Sequence, residues 1–323
     1  MTTLLLSRGD IKALLGEEEI LQIVEAVYRS HGLGEIIMPP KVTIDLSDTE
    51  SGGSLNAMPA FVIGQNAAGV KFGGGFPLNP VKENLPATIA TILLVDPKTG
   101  YPLAILEGGY ITVVRTGASA AVAAKYLLPS LQRLAVLGVG AVGRAVISAF
   151  DRSFPLREIR IYDISETSIQ KALSLTGVQA SRCICSSPED CTSKADVIVT
   201  ATHEDKPLFK QEYVKPGALI ISLGSYRELA PLLVMDSVYR IVDNLDQNRH
   251  RGEFRTYFEA GKLSGSDIYA EIGDIIAGRM PAPSAGEGWG VASLIGMGSL
   301  DIAIAKKAYE EARRDSIGRS FEF

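Results

Sequence analysis

The chain has 323 residues, 46% hydrophobic and 21% charged, a composition typical of a globular protein with about two domains. The formal net charge is −5 and no lysine- or arginine-rich run occurs, which disfavours nucleic acid and anionic membranes as partners. The sequence contains no uncharged apolar run of the roughly 20 residues that a membrane span needs. Its N-terminal segment also lacks the basic start of a signal peptide. We therefore expect a cytoplasmic protein.

The first 113 residues combine helices with a β-rich block. An acidic first turn and apolar residues at helical spacing predict a helix over 17–31, preceded by a shorter one with Asp10 as its cap. Five strands are then predicted, which should form an antiparallel or mixed sheet. Their predicted bounds are 41–46, 53–62, 68–72, 87–96 and 101–106.

An alanine-rich helix over 112–128, with Thr112 as its cap and its end before Pro129, leads into a second region. Short apolar strands alternate there with helices, which predicts a doubly wound parallel α/β sheet of the Rossmann type. The predicted strands are 134–138, 158–163, 178–184, 196–201, 218–223 and 239–243, with helices near 141–151, 165–175, 187–194 and 208–214.

The alternation ends after residue 243, where a short helix over 267–277 and a final amphipathic helix over 296–312 are expected. Since nothing in the sheet needs the last helix, it should pack on the first region. The Rossmann unit, 114–295, is therefore predicted to be inserted into a second domain made of residues 1–113 and 296–323.

A glycine pattern follows the strand at 134–138. Gly138, Gly140 and Gly143 fit G-x-G-x-x-G. The first glycine allows a tight turn, the second lets a pyrophosphate approach, and the third allows close packing of helix on strand. The free N–H groups of the helix start, at Ala141 and Val142, would face the anion. The pattern predicts a dinucleotide site.

The nature of the dinucleotide follows from Asp163. This residue ends the next predicted strand, 20 residues after Gly143. Its carboxylate can accept a hydrogen bond from a ribose 2′-hydroxyl and would repel a 2′-phosphate. We therefore expect NAD rather than NADP.

Three basic residues of the first region are candidates for substrate chemistry. Lys71 is the only charge in a strand-like stretch that ends in glycines, where a half-buried lysine could donate a proton and an edge lysine could equally point to solvent. Arg115 could bind a carboxylate bidentately or form a structural salt bridge. Lys41 could be a second carboxylate contact, although an exposed strand lysine is the simpler interpretation.

The three cysteines, Cys183, Cys185 and Cys191, lie close together without a nearby histidine. Three cysteines cannot all pair in disulfides, and their spacing is not typical of a zinc site. We expect them to be reduced and to bind no metal.

The chain resembles the ornithine cyclodeaminase/μ-crystallin family over nearly its whole length. The matching stretches are Pro39-Pro-Lys-Val, Asn56-Ala-Met-Pro-Ala, Ala68-Gly-Val-Lys-Phe, Asp96-Pro-Lys-Thr-Gly-Tyr-Pro-Leu-Ala-Ile-Leu, Ile111-Thr-Val-Val-Arg-Thr-Gly-Ala, Leu137-Gly-Val-Gly, Thr200-Ala-Thr, Ile241-Val-Asp-Asn, Ala270-Glu-Ile-Gly-Asp-Ile-Ile-Ala-Gly and Gly296-Met-Gly-Ser-Leu-Asp-Ile-Ala-Ile-Ala. The family includes ornithine and lysine cyclodeaminases, archaeal alanine dehydrogenases, ketimine and pyrroline-2-carboxylate reductases, and a crystallin that binds NADPH and thyroid hormone. The resemblance implies a homodimer whose N- and C-terminal segments form the substrate-binding and dimerisation domain.

The resemblance also implies roles for individual residues. Lys71 matches the lysine beside the reacting carbon, Arg115 matches an arginine on the substrate carboxylate, and Lys41 stands where the family has a second such arginine. A lysine there loses the bidentate fork. The cofactor site is expected to include a loop and one further carboxylate, which alternatively only places a charge at a helix N-terminus. These residues are Thr200, Ala201, Thr202 and Asp301.

The chain departs from the family after the fifth strand of the Rossmann region. Cyclodeaminases and archaeal alanine dehydrogenases have an aspartate just past a Gly-Ser or Gly-Ala pair, whereas residues 222–231 here read Ser-Leu-Gly-Ser-Tyr-Arg-Glu-Leu-Ala-Pro. Ring closure in cyclodeamination needs a base, so this gap disfavours it. Glu228 is a possible substitute, but we expect it in a structural Arg-Glu pair. His203 could lie near the nicotinamide, although a solvated loop histidine is the simpler interpretation.

Together these features predict an NAD(H)-dependent oxidoreductase that acts on the C–N bond of a small α-imino or α-amino acid. Hydride would pass between nicotinamide and the substrate α-carbon, as in a ketimine reductase or an amino-acid dehydrogenase. Two alternatives stay open: an ornithine cyclodeaminase-type ammonia lyase that recycles NAD, and a non-catalytic crystallin-like protein that binds NAD(P) or another small ligand.

Overall fold

The computed structural model describes residues 2–50, 52–128 and 130–322. The chain forms two compact units, one made of Met1–Arg115 and Met297–Phe323 and the other of Thr116–Gly296. The second unit is thus inserted into the first. That the first unit binds substrate and dimerises, and that the second binds NAD, stay predictions.

Helices and strands of different lengths follow one another along the chain. Up to the middle of the chain they are β1 (Thr2–Leu6), α1 (Arg8–Leu14), α2 (Glu17–Gly32), β2 (Ile36–Ile37), β3 (Val42–Leu46), β4 (Gly53–Val62), β5 (Ala67–Gly75), α3 (Asn79–Lys82), β6 (Thr88–Val95), β7 (Pro102–Glu107) and α4 (Gly108–Leu127). The second unit continues with β8 (Arg133–Leu137), α5 (Ala141–Ser153), β9 (Glu158–Tyr162), α6 (Glu166–Leu173), β10 (Ser181–Ile184), α7 (Pro188–Thr192), β11 (Val197–Thr200), β12 (Leu219–Leu223), α8 (Pro231–Met235), β13 (Tyr239–Val242), α9 (Leu245–Asn248), α10 (Arg255–Glu259), β14 (Ala270–Glu271), α11 (Ile272–Ile276) and β15 (Gly290–Leu294). The last two elements are α12 (Gly298–Asp315) and β16 (Arg319–Glu322).

The described strands of the first unit form one mixed sheet, in the order β16-β1-β7-β6-β5-β4-β2, with β3 also paired to β4. Strands β1 and β7 are parallel, and the other neighbours are antiparallel. Lys71 pairs with Met58 of β4 and Ile92 of β6, so these three side chains share one face. Helix α12 packs on that face, against β4, β5 and β6, and α2 packs on α12.

The second unit contains a fully parallel sheet in the order β10-β9-β8-β11-β12-β15-β13-β14. Strands β11, β12 and β15 are buried along their whole length, as expected for a sheet covered on both faces. The predicted doubly wound α/β fold is confirmed. However, the six predicted strands omitted β14 and β15, and β15 lies in the middle of the sheet. Its buried run Gly-Val-Ala-Ser-Leu shows no alternation, so periodicity did not distinguish it from a loop.

Several predicted helix boundaries were wrong. Helix α4 begins at Gly108 rather than Thr112, because the Glu107 carboxylate accepts hydrogen bonds from the N–H groups of Gly109 and Tyr110, at 2.8 and 3.0 Å. Thr112 instead donates to the Gly108 carbonyl within the helix, at 2.8 Å. Arg115 therefore lies one turn deeper in α4 than expected. The predicted stop at Pro129 falls outside the described residues.

Three shorter segments also differ from expectation. Ser7, not Asp10, caps α1, and Asp10 completes a capping box with it. The helix predicted near 208–214 is a 3-10 turn at Gln211–Tyr213, and the one predicted over 267–277 divides into β14 and α11. These apolar stretches are too short for spacing alone to separate a turn, a strand and a helix. Among the described residues no helix is long and apolar enough to span a bilayer.

Candidate substrate and dinucleotide sites

Lys71, Arg115 and Asp301 form a buried ionic cluster in the first unit. They come from β5, α4 and α12, and their exposed fractions are 5%, 6% and 0%. Lys71 Nζ donates to Asp301 Oδ2 at 2.8 Å, and Arg115 Nε donates to Asp301 Oδ1 at 3.4 Å. Thr112 Oγ1 lies 3.4 Å from both Lys71 Nζ and Asp301 Oδ1. One carboxylate thus joins two cations that are 44 residues apart in sequence.

The charges of this cluster support one another. Burial alone raises the pKa of Asp301, but Arg115 and then Lys71 outweigh it and hold this pKa below its ordinary value. Asp301 is therefore ionised, and the three side chains sum to one positive charge. Buried ions are costly unless they are paired, and the net positive charge of these three side chains favours an anionic ligand over a cationic one. A substrate carboxylate has the required charge.

Lys41 lies outside this cluster. It precedes β3 by one residue and is partly exposed. The β3–β4 register pairs Val42 with Ala57, so Lys41 lies level with Met58, which pairs with Lys71. Two strand spacings correspond to roughly 10 Å between the Lys41 and Lys71 backbones. A contact of Lys41 with the substrate stays a prediction.

The glycine loop of the second unit connects β8 to α5. Gly138 has φ +86°, and a Cβ there would lie 2.7 Å from the carbonyl oxygen of Ala201. A Cβ at Gly143 would lie only 2.0 Å from the Gly138 carbonyl oxygen. By contrast, no described atom lies within 4 Å of a Cβ placed on Gly140, which is the N-cap of α5. Backbone packing thus requires glycine at 138 and 143, while the space at Gly140 fits an approaching pyrophosphate.

Asp163 follows β9 at the same end of the sheet as the glycine loop. Its Oδ2 accepts from the Val139 N–H and its Oδ1 from the Ser165 N–H, both at 2.8 Å. A carboxylate has about four acceptor sites, so a ribose hydroxyl can still bind. Arg144, which the sequence did not single out, donates to the Val139 carbonyl at 3.0 Å. Burial lowers the pKa of Arg144, and the nearby Asp163 opposes this shift.

The loop after β11 contains Thr200, Ala201 and Thr202 and is anchored from behind. Ala201 N–H donates to the Leu137 carbonyl at 2.9 Å, next to the glycine loop. The N–H and hydroxyl of Thr202 both donate to Glu228 Oε1, at 2.8 and 2.5 Å. The structure thus brings this loop beside Gly138, while its predicted contacts with a cofactor stay predictions.

Glu228 and Glu253 form a buried acidic pair behind that loop, each 1% exposed. Glu228 N–H donates to Glu253 Oε2 at 2.9 Å. Burial raises the pKa of Glu228 to about 7 and that of Glu253 to about 8. The expected Arg-Glu pair is wrong, because Arg227 instead binds Asp205, with its Nη2 2.9 Å from Oδ2. The Glu228 carboxylate holds Thr202, and this use makes it a poor replacement for the aspartate that the family has after β12.

The position of that aspartate is occupied differently here. Ser225 follows Gly224 after β12, and the guanidinium of Arg251 donates to its hydroxyl. The next residue, Tyr226, contacts His203 edge to face, with the ring centroids 5.5 Å apart. His203 is exposed by surface area, yet partial burial of its imidazole lowers the pKa of this side chain. A serine, a tyrosine and an arginine therefore surround the corner where a base was expected in cyclodeaminases.

Comparison with known proteins identifies the family of this chain. The model of the ornithine cyclodeaminase/mu-crystallin family matches residues 1–316. The chain belongs to this family. It is 32% identical to an alanine dehydrogenase of Archaeoglobus fulgidus over 100% of its own length and 99% of that protein.

Two solved structures of the family superpose closely. An archaeal alanine dehydrogenase dimer with bound NAD has a TM-score of 0.92 and 32% identity, with both chains covered to 100%. The Δ1-pyrroline-2-carboxylate reductase of Thermococcus litoralis, in complex with NADH and L-proline, has a TM-score of 0.92 and 28% identity, with 98% of this chain and 99% of that chain covered. The Rossmann-type fold of the second unit is thus shared with family members that bind a nicotinamide dinucleotide.

Some residues of these sites carry no signal in the sequence. Glu253 belongs to no recognisable motif, and Arg251 is one of 32 lysine and arginine residues. Thr112 lies in a matching family stretch, but the sequence predicted it only as a helix cap. Asp301 was expected at the cofactor, yet both of its oxygens have partners in the first unit. Only the tertiary structure joins residues so distant in sequence.

Proposed function

We propose that this protein is an NAD(H)-dependent oxidoreductase that acts on the C–N bond of a small α-imino or α-amino acid. The observation that carries the proposal is the buried cluster in which Lys71 and Arg115 share Asp301. It offers a guanidinium for a carboxylate and an ammonium beside it, which are the groups that an α-imino acid requires. The glycine loop supports the same conclusion, because its backbone fits a dinucleotide.

Each residue has a defined task in the reductive direction. Arg115 binds the substrate carboxylate, with Lys41 as a second cationic contact. The Lys71 ammonium donates to the imine nitrogen and makes the carbon more electrophilic, so that the amine product gains its proton there. The glycine loop and the loop of Thr200 to Thr202 hold the dinucleotide, whose ribose binds Asp163. NADH bound there supplies the hydride that reduces the imine carbon.

The related proteins support this reaction class. One is named an alanine dehydrogenase and another a Δ1-pyrroline-2-carboxylate reductase, and both reactions join hydride transfer to a C–N bond. The solved structures contain NAD or NADH, which supports the same cofactor for this chain. The carboxylate of Asp163 also favours an unphosphorylated ribose.

Cyclodeamination is less well supported. It requires a base for ring closure, and the corner after β12 presents Ser225 bound by Arg251. Glu228 is buried and holds Thr202. The crystallin-like alternative, binding without turnover, does not by itself require both Lys71 and Arg115.

The test is a substrate panel measured by absorbance at 340 nm. Cyclic imino acids, and 2-oxo acids with ammonia or methylamine, are supplied with NADH and with NADPH in parallel. We expect net NADH oxidation with at least one imino acid, and faster turnover with NADH than with NADPH. Ammonia release from ornithine without net NADH change would identify a cyclodeaminase. Tight NADH binding without turnover on any substrate would support the crystallin-like alternative.

We further propose that two copies of the chain associate through the sheet of the first unit. Val42, Ile44, Phe72 and Ile89 are 66%, 54%, 50% and 43% exposed and share the face opposite Lys71. Contiguous exposed apolar side chains of this kind are typical of interfaces. A second copy is the expected occupant, because the related archaeal alanine dehydrogenase is a dimer.

Light scattering coupled to size exclusion tests this association. The wild type should have about twice the chain mass, whereas Phe72→Asp should shift the population towards monomer. Leu232→Asp is the matched control, since Leu232 is 48% exposed in α8 of the other unit. A monomeric wild type, or a dimer that survives Phe72→Asp together with Ile44→Asp, contradicts the proposed surface.

A further inference from the structure

We infer that Asp301 is a positioning residue that fixes the Lys71 ammonium and the Arg115 guanidinium relative to each other for one substrate. This role rests on the proposed function and extends it, because it assigns Asp301 to the substrate chemistry through Lys71 rather than to the dinucleotide.

The backbone around Asp301 leaves it little freedom. Asp301 is the fourth residue of α12, and its helix begins directly against β4. A Cβ on Gly298 would lie 2.9 Å from the Met58 carbonyl oxygen, and Met58 is the residue paired with Lys71. A close contact between α12 and β4 thus sets the height of the Asp301 carboxylate above Lys71. The N-terminal turn of a helix also favours a negative charge.

The two oxygens of Asp301 divide between the two cations. Oδ2 binds Lys71 Nζ at 2.8 Å, and Oδ1 binds Arg115 Nε at 3.4 Å. The side chain is 0% exposed, so Asp301 is enclosed by the protein as well as paired. An aspartate held in this way is not an available base. It acts through its partners.

The expected consequence concerns both geometry and charge. A lysine side chain has several rotatable bonds, and a fixed anion selects the rotamers that direct Nζ to one point. An anion at hydrogen-bond distance also favours the charged form of a buried amine over the neutral form. Without Asp301, Lys71 and Arg115 would repel each other, and burial would favour the neutral amine.

The experiment compares Asp301→Asn with the wild type and with Ser299→Ala. Ser299 is also buried in α12, two residues earlier, so its variant controls for disturbance of that helix. Asp301→Asn should lower kcat/KM for the imino acid by about 100-fold, the cost of small misplacement of reacting groups. It should also move the alkaline limb of the pH profile to lower pH. NADH affinity should be unchanged in both variants.

A double variant separates positioning from a purely structural role. If Asp301 acts through Lys71, then Asp301→Asn should change kcat/KM by less than about threefold in a Lys71→Ala background. An equal loss in both backgrounds, or an alkaline limb that does not move, overturns the inference. A loss of NADH affinity in Asp301→Asn would instead assign Asp301 to the cofactor.

A second readout does not depend on turnover. Competitive labelling with acetic anhydride, followed by peptide mass spectrometry, reports how readily the Lys71 amine reacts at each pH. Lys71 should react faster in Asp301→Asn than in the wild type and in Ser299→Ala at the same pH, because only the neutral amine is nucleophilic. Equal labelling rates overturn the inference even if no substrate is turned over, whereas faster labelling without turnover contradicts only the proposed function.

Discussion

The two candidate sites of this protein offer positive charge to an anion by different physical means. In the second unit, the loop of Gly138 to Gly143 offers backbone N–H groups at the start of α5. Its glycines matter because they have no side chain. In the first unit, the cluster of Lys71, Arg115 and Asp301 offers formal charges buried beneath α12. The backbone site is made by neighbouring residues, whereas the cluster is assembled from three distant elements.

The difference has energetic consequences. Helix N-terminal N–H groups carry only partial charge and have no hydrogen-bond acceptor within their own helix. A bound phosphate can accept their hydrogen bonds, and without ligand the protein has no buried ion at this site. A buried ion pair instead loses hydration that only good geometry recovers. Substitutions in the glycine loop should therefore act by filling the space that a ligand needs. Substitutions in the cluster of Lys71, Arg115 and Asp301 should act by changing its charge. The largest effects are expected in the cluster.

Lys71→Ala removes the proposed proton donor. We expect imine reduction to fall by about 10²- to 10⁴-fold, the usual contribution of a general acid. The dissociation constant of NADH, measured by fluorescence titration, should stay within about twofold of the wild type, because the glycine loop belongs to the other unit. Unchanged turnover would remove Lys71 from the mechanism. A parallel loss of NADH affinity would break the distinction between the two sites.

The glycine loop offers the opposite experiment with an internal control. Gly140→Ala places a methyl group in open space, so the free protein should keep its melting temperature while its NADH affinity falls by at least about tenfold, or 1.4 kcal/mol. Gly143→Ala instead meets the Gly138 carbonyl oxygen at 2.0 Å and should destabilise the fold by about 1–3 kcal/mol. Calorimetry without ligand separates the two. Equal affinity for NADH in Gly140→Ala would contradict the pyrophosphate assignment.

The contrast also explains what the sequence could predict. The glycine loop and Asp163 lie within 26 residues, and local rules of turns and helix starts describe them. The α/β fold and a candidate dinucleotide site could therefore be predicted from the sequence. The contact between Lys71 and Asp301 joins residues 230 positions apart in the sequence, and it forms because α12 packs on β4. No spacing rule describes that distance. Family resemblance singled out Lys71, Arg115 and Asp301, but it assigned Asp301 to the cofactor rather than to a position between the two cations.

Burial was the other property that periodicity did not reveal. Strand β15 has no polar alternation because both of its faces are covered, and its place between β12 and β13 requires knowledge of the whole sheet. Glu228 and Glu253 resemble ordinary surface glutamates in the sequence, yet they lie behind the loop of Thr202. Charged residues are rarely buried unless paired, so nothing in the sequence indicated that these two carboxyl groups are buried together.

Glu228→Gln tests whether the loop that contains Thr202 is held by a neutral or by an ionised Glu228 carboxyl group. The folded carboxyl has a pKa raised to about 7 from 4.5, chiefly by burial. Its contribution to stability is therefore complete below pH 4.5 and is lost as the pH rises through about 7, by at most about 3 kcal/mol. Glutamine stays neutral and can still accept both hydrogen bonds from Thr202. Melting temperatures between pH 5 and 8.5 should therefore fall less steeply in the variant than in the wild type.

Asp205→Asn is the matched control, because Asp205 is an exposed partner of Arg227 in the neighbouring loop. Its carboxylate has a lowered pKa, caused first by the hydrogen bond from Arg227, so it stays ionised throughout this pH range and its variant should keep the wild-type slope. Glu253 continues to titrate in Glu228→Gln, but its raised pKa depends partly on Glu228, so part of its own pH dependence should also disappear. Identical slopes in wild type and Glu228→Gln would mean that the pKa of Glu228 is not raised and that its carboxylate is ionised throughout this pH range. The dinucleotide loop would then rest on a buried charge, and the two sites would resemble each other more than their sequences indicate.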